Sequence, residues 1–307
     1  MEFWMSRKSV FKYVFLTIIL LVVVIYVGLS AVLANGVTTS EREPLTETPE
    51  SLGLPYKEIN FNPRGGELTL NGWHITGNER RPAIILVHGL GSNRTSDGAL
   101  ELASHLWAEG LDSVLFDLRG HGISDDGLVS GGYYEQEDLL GAFDYLIKAG
   151  IPSDNIGVLG ISLGAAVAIL TASDETRIQA VVADTSYADV TDLLVQEVSR
   201  TTPIPGWVIP AFIPGTTAAA RLMYGIRINH LVPENYVKKI DYPIYIIHGQ
   251  ADERIPAEHS TRVHAAAHPD STLWILPDVE HVDAFITFPE EYSKRVANYF
   301  RQRLDLN

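Results

Sequence analysis

The residue best placed to do chemistry in this sequence is Ser162, in the stretch Gly160-Ile161-Ser162-Leu163-Gly164. An apolar run that begins at Ile156 stops at Gly160, and an alanine-rich apolar segment starts at Ala165. That change of pattern reads as strand, tight turn and helix, with Gly-x-Ser-x-Gly at the turn. A serine on so sharp a bend has its hydroxyl lifted clear of the sheet, and the flanking glycines lack the Cβ atoms that would strike neighbouring backbone. The amide of Leu163, at the N-terminus of the new helix, would face negative charge developing on a substrate oxygen. The same pentapeptide can also be a glycine-rich turn opening an ordinary helix. A base, an orienting acid and a second amide donor in compatible places decide between the two.

A hydroxyl nucleophile at neutral pH needs a base to take its proton and a carboxylate to fix the base's tautomer and stabilise its cation. Two late loops supply these types. After Ile247 the chain reads His248-Gly249-Gln250-Ala251-Asp252-Glu253, and after Leu276 it reads Pro277-Asp278-Val279-Glu280-His281. The order Ser162, Asp252, His281 is that of nucleophile, acid and base on an elbow-type sheet, each at or just beyond the carboxyl end of an expected strand. Residues so placed can converge although distant in sequence. For the second donor, His88-Gly89-Leu90-Gly91 follows the apolar run 83–87 and bends into a helix, with the Leu90 amide facing the site.

Other chemistry-bearing residues have plainer readings. Asp184 ends a strand and is an alternative acid. Glu253 reads as a solvated neighbour, His88 as hydrogen-bonding support for its loop, and Arg119 and His121 as braces at the site's edge. Gly89-x-Gly91 after a strand, with Asp117 ending the next, is also half of a dinucleotide-binding fingerprint, but Arg94 occupies the third glycine position. His264 and His268 have the i, i+4 spacing of a metal pair without the glutamate of His-Glu-x-x-His, so an exposed helix face is expected and no metal site. Asn93-Arg94-Thr95 is a glycosylation sequon, read as fortuitous beside the Leu90 loop.

Positioning these residues takes a particular set of elements. Residues 56–61 and 68–75 alternate about an Arg64-Gly65-Gly66-Glu67 turn, as a hairpin does. Apolar strands then alternate with helices: strands at 83–87, 113–116, 156–160, 178–183, 244–247 and 272–276, helices at 95–108, 135–148 and 289–304. A hairpin followed by repeated strand–helix units means an α/β domain with a doubly wound, mostly parallel sheet. Residues 187–241 break the rhythm. They carry Pro203, Pro205, Pro210 and Pro214 among Trp207, Ile209, Phe212, Ile213, Leu222 and Met223, too long for one crossover and too apolar for a solvated loop. The expected role is a cap insertion giving an apolar wall over the site; the alternative is a helical pair packed on the sheet edge.

Before the domain, Arg7, Lys8 and Lys12 precede an uncharged run at 13–34. As a helix it would span about 33 Å, enough for a bilayer's hydrocarbon core. The expected organisation is residues 1–12 in the cytoplasm, a transmembrane signal anchor at 13–34, a polar and acidic linker at 35–55 holding the domain off the membrane, and an extracytoplasmic domain at 56–307. Cleavage after Val32-Leu33-Ala34 as a signal peptide is the alternative, although the run is longer than an ordinary h-region. The net charge of −15 argues against nucleic acid as a partner. The absence of cysteine excludes disulfides and thiolate catalysis.

The set His88-Gly89-Leu90-Gly91-Ser92-Asn93-Arg94, Asp117-Leu118-Arg119-Gly120-His121-Gly122, Gly160-Ile161-Ser162-Leu163-Gly164 and Gly249-x-x-Asp252-x-x-x-Pro256 resembles the α/β-hydrolase superfamily, and within it the Bem46-like membrane-anchored serine hydrolases and bacterial esterases. The resemblance spans residues 58–301 and is thin across 187–241. It implies a Ser162–His281–Asp252 triad, oxyanion amides at Leu90 and Leu163, and hydrolysis of acyl esters or thioesters without a metal or organic cofactor. The acidic Glu280 directly before His281 departs from the glycine common there. Apolar residues in the cap favour a hydrophobic acyl substrate. A catalytically inactive ligand-binding domain on the same fold and a serine peptidase are the other readings.

Overall fold

Eight strands form one sheet, and their order explains how distant residues meet. In the computed structural model, which describes residues 7–36, 38, 40–79, 81–201 and 205–304, these strands are β1 (Tyr56–Phe61), β2 (Leu70–Ile75), β3 (Ala83–Val87), β4 (Asp112–Phe116), β5 (Ile156–Ile161), β6 (Val181–Asp184), β7 (Tyr245–Gly249) and β8 (Thr272–Leu276). Their order across the sheet is β1-β2-β4-β3-β5-β6-β7-β8. β2 runs antiparallel to β1 and to β4, and every later pair is parallel. The carboxyl ends of β3, β5, β7 and β8 therefore lie along one rim.

The helices are α1 (Arg7–Gly36), α2 (Ala99–Ala108), α3 (Glu135–Lys148), α4 (Leu163–Ala172), α5 (Val190–Thr201), α6 (Ile213–Tyr224), α7 (Pro233–Tyr236), α8 (Glu258–Ala266), α9 (Ala284–Thr287) and α10 (Pro289–Arg303). Helices cover both sheet faces. Leu139 and Phe143 of α3 join α4 in one core, and Leu100 and Leu106 of α2 join Val296 and Phe300 of α10 in the other. All residues of α4 are buried, so a helix with no polar face is fully enclosed beside the central strands.

Expected and observed elements differ where local conformation or a side chain intervenes. The helix expected from residue 95 begins at Ala99, because Asp97 and Gly98 both adopt positive φ (57° and 71°) and cannot continue it. β6 starts at Val181 rather than 178; the Ile178 carbonyl is taken by the Tyr242 hydroxyl at 2.7 Å instead of a ladder. The described part of the segment expected as a linker contacts the domain. Arg42 donates to the carbonyls of His121, Gly122 and Ser124 at 2.7–3.2 Å, and Val129 N donates to Thr38 O. The polar composition is used to dock the segment through backbone carbonyls, which no composition reveals. Of the prolines in the insertion, Pro203 lies outside the described residues.

Candidate active site

The turn from β5 into α4 carries Ser162 at φ 55°, ψ −116°, a strained backbone for any non-glycine residue. Close packing holds it there. A Cβ on Gly160 would lie 2.1 Å from the Gly164 carbonyl oxygen, and one on Gly164 would lie 2.0 Å from the Val87 carbonyl oxygen. Ser162 N donates to the Asp184 carbonyl at 2.8 Å, tying the turn to β6. The side chain ends in a nearly closed place, with 8% of the residue exposed.

Ser162, His281 and Asp252 come together. Ser162 Oγ lies 3.2 Å from His281 Nε2, and His281 Nδ1 lies 2.7 Å from Asp252 Oδ2. An ionised carboxylate only accepts, so Nδ1 carries the proton and Nε2 is left to accept from the serine. Burial alone would raise the Asp252 carboxyl. Hydrogen bonds from His248 and His281, the charge of His281 and the Ile255 N–H outweigh it, and hold the group well below the usual carboxylate range.

His248 is the residue that sequence reasoning passed over. It is buried under the carboxylate, with Nε2 2.7 Å from Ile255 O and 3.5 Å from Asp252 Oδ2, and Nδ1 2.6 Å from Ser260 Oγ. The available signal was a histidine ending an apolar strand four residues before the acid. Asp184, the alternative acid, is engaged elsewhere: Tyr292 donates to it at 2.8 Å and Thr185 at 3.0 Å. Burial raises its carboxyl to about 6.

The Leu90 loop lies against the serine. A Cβ on Gly89 would be 3.2 Å from Ser162 Cβ and 3.7 Å from Oγ. Two buried histidines fix this loop. His88 Nδ1 donates to Gly89 O at 2.7 Å while Nε2 accepts from Leu118 N, and His121 Nδ1 donates to Arg119 O while Nε2 accepts from Gly91 N. Burial, with the neighbouring His121, drives the His88 pKa down to about 3, so its ring stays neutral. Among the described residues, the amides of Leu90 and Leu163 donate to no other group.

The remaining candidates lie away from the reacting atoms. Glu253 and Glu280 are exposed. Arg119 is buried against Asp138, 2.6 Å away. α8 ends at Ala266, so His264 and His268 do not share one helix face; His264 bonds Ser271 O and His268 accepts from Asp270 N. Asn93 of the sequon is 1% exposed, its amide donating to the carbonyls of Glu43 and Pro44.

A cavity of about 160 Å³ opens above Ser162, walled by Leu90, Leu163, Tyr187, Val190, Leu193 and Arg254. Val190 and Leu193 come from α5, so the insertion after β6 forms part of this wall. Apart from Ser162, Tyr187 and Arg254, its lining is apolar.

Comparison with known proteins places this geometry in context. Residues 82–222 match the family described as alpha/beta hydrolase fold. The chain is 26% identical to an uncharacterised protein, YqkD, of Bacillus subtilis (strain 168), over 75% of this chain and 74% of that protein. It is 28% identical to the uncharacterised protein YfhR of Salmonella typhi, over 81% and 80% of the two chains. Among solved structures, the esterase Pf2001 of Pyrococcus furiosus superposes with a TM-score of 0.71 at 26% identity, covering 88% of this chain and 99% of that one. The chain has the α/β-hydrolase fold, with a mostly parallel eight-stranded sheet and one long apolar helix at its N-terminus.

Proposed function

We propose that this protein is a membrane-anchored serine hydrolase, similar to the Bem46-like enzymes, that cleaves carboxylic esters or thioesters of hydrophobic acyl groups. The observation that carries the reading is the relay from Ser162 Oγ through His281 to Asp252, at 3.2 Å and 2.7 Å, beside two unengaged amides. The likeness to the esterase Pf2001 supports the same class.

In this reading His281 Nε2 takes the Ser162 proton as Oγ attacks the acyl carbonyl carbon. The Leu90 and Leu163 amides hold the resulting oxyanion. The bond to the alcohol or thiol then breaks, and the leaving group departs with the proton from Nε2. Water, deprotonated by the same nitrogen, attacks the acyl-enzyme, releases the carboxylic acid and restores Ser162. Asp252 keeps Nδ1–H in place and stabilises the imidazolium in both steps. No metal or organic cofactor enters these steps.

The anchor is the apolar helix α1, with Lys8 and Lys12 at its start placing the N-terminus in the cytoplasm and the catalytic domain outside it. The insertion at 187–241 acts as a cap, its α5 side chains forming the acyl wall. A fluorophosphonate probe tests the chemistry. Wild type should be labelled and Ser162→Ala should not, with a burst from 4-nitrophenyl butyrate lost in the same variant. A folded wild-type protein that resists the probe would overturn the reading.

A further inference from the structure

The apolar helix does not stand apart from the domain. One stripe of it, Tyr26, Ser30 and Ala34, packs on α6, while the large apolar side chains around it, Val32 among them, are exposed. Tyr26 stacks on Phe212 at 5.3 Å, donates to Ala211 O at 3.0 Å and accepts from Gly215 N at 3.1 Å. Further along, Tyr224 donates to Asn35 Oδ1 at 2.6 Å. Glycine at 215 is required for this approach, since a Cβ there would lie 2.2 Å from Ser30 Oγ.

These contacts fix the depth of the insertion. Tyr26 precedes the end of the apolar run at Ala34 by about 12 Å of helix. The start of α6 therefore runs beside the last part of the hydrocarbon span, on the side of the bilayer opposite Lys8 and Lys12.

A second cavity, of about 450 Å³, lies in this seam, bounded by Val32 and Leu33 of α1, Leu194 of α5, Phe212, Thr216 of α6, and Leu90. Leu90 and Leu194 are also on the wall of the cavity above Ser162. The two cavities thus share a wall, and Leu90, whose amide is one of the two proposed oxyanion donors, stands on it. A soluble ester has no need of a wall supplied by a membrane span.

We propose that the seam between α1 and the α5–α6 insertion receives a hydrocarbon chain of a bilayer lipid, so that the substrates are acyl-ester lipids presented to Ser162 from within the outer leaflet. The proposal rests on the serine-hydrolase reading for the cleavage step; occupancy of the seam can be measured without it. The chain enters sideways between α1 and α6, passes Leu194 and brings its ester beneath Leu90, while the headgroup side remains toward water near Arg254.

The test uses the full-length chain in phosphatidylcholine nanodiscs. The kcat/KM for membrane-embedded 4-methylumbelliferyl oleate is divided by that for 4-methylumbelliferyl acetate added in water. Thr216→Trp fills the seam and should lower this ratio at least tenfold. Val32→Trp does the same from the exposed side of α1, where folding is not at risk. An unchanged ratio in a folded Val32→Trp protein overturns the proposal.

Separately, Ser162→Ala in nanodiscs doped with a diazirine-bearing palmitoyl phosphatidylcholine is irradiated and digested. Label in the peptides holding Val32–Leu33 and Phe212–Thr216 supports the seam, and label confined to the rest of α1 overturns it. Because this variant cannot turn over, seam labelling together with a wild type that resists fluorophosphonate would refute the hydrolase reading alone.

Discussion

Asp252 and Asp184 are both buried carboxylates at strand ends, and the environment gives them opposite jobs. Asp252 is held ionised by His248 and His281, whereas Asp184, bonded by two hydroxyls, is raised to about 6 chiefly by burial. Asp252→Asn should lose on the order of 10⁴ in kcat with little change of fold, because the amide no longer enforces the Nδ1–H tautomer. Its effect on stability has a sign as well. A carboxyl depressed in the folded state stabilises above its unfolded value of 3.8, and that gain is lost as pH falls below it. Thermal unfolding of the asparagine variant should therefore depend less on pH than wild type below pH 4. Asp184→Asn should behave the other way, with activity within a few-fold of wild type. A raised carboxyl costs stability as pH climbs from 3.8 to about 6, so the variant should gain up to about 3 kcal/mol on wild type by neutral pH and nothing near pH 3. Melting curves of the three proteins from pH 3 to 8, with ester hydrolysis at neutral pH, separate the two acids. Equal losses of activity at both positions would refute the assignment.

The elements that carry these residues are packed without spare room, and this is why glycine appears where it does. Gly160→Ala forces a methyl to 2.1 Å from the Gly164 carbonyl oxygen, so β5 and α4 must separate. Overpacking of this kind costs about 1–3 kcal/mol, which for a domain of this size is roughly 2–12 °C in Tm. Gly89→Ala meets Ser162 Cβ at 3.2 Å, a contact a small shift relieves. It should leave Tm within a few degrees and reduce fluorophosphonate labelling through the displaced Leu90 amide. Scanning calorimetry and labelling rates on both variants check the contrast. These packing demands also explain what the sequence could show. The strand–turn–helix around Ser162 was legible because apolar period and glycine spacing are local properties, and α3 falls at 135–148 as its apolar stripe indicates. The start of α2 was not, since the left-handed Asp97 answers to a tertiary fit. His248 escaped notice for a related reason: its importance lies in the 3.5 Å to Asp252 and in no motif. The docking of Arg42 on three carbonyls was equally hidden, because a charged residue among prolines and glutamates reads as solvated.

At the scale of the whole molecule, two surface properties would oppose each other if the domain met a bilayer as proposed. The chain carries a net charge of −15, with Arg7, Lys8 and Lys12 gathered before the apolar helix, so the domain itself is strongly acidic. The insertion, whose α6 packs against α1, nevertheless presents Trp207 and Leu222 at 84% and 86% exposure. Exposed large apolar groups of this kind mark an interaction surface, and the charge decides which surface. A chain lacking residues 1–36 would uncover Phe212 and Thr216 as well, and should still bind vesicles. Hydrophobic insertion drives that binding, while repulsion from anionic headgroups opposes it. Flotation should therefore recover more of this truncated chain with phosphatidylcholine vesicles than with vesicles containing phosphatidylglycerol. The difference should shrink at about 0.5 M salt, where the Debye length is about 4 Å. Trp207→Ser should weaken binding to both vesicle types by a similar factor, because it removes apolar area and no charge. Binding to neither vesicle type would mean that α1 alone brings this domain to the membrane and that the insertion's apolar face has another purpose, whereas stronger binding to the anionic vesicles would mean that basic groups rather than apolar insertion drive the association.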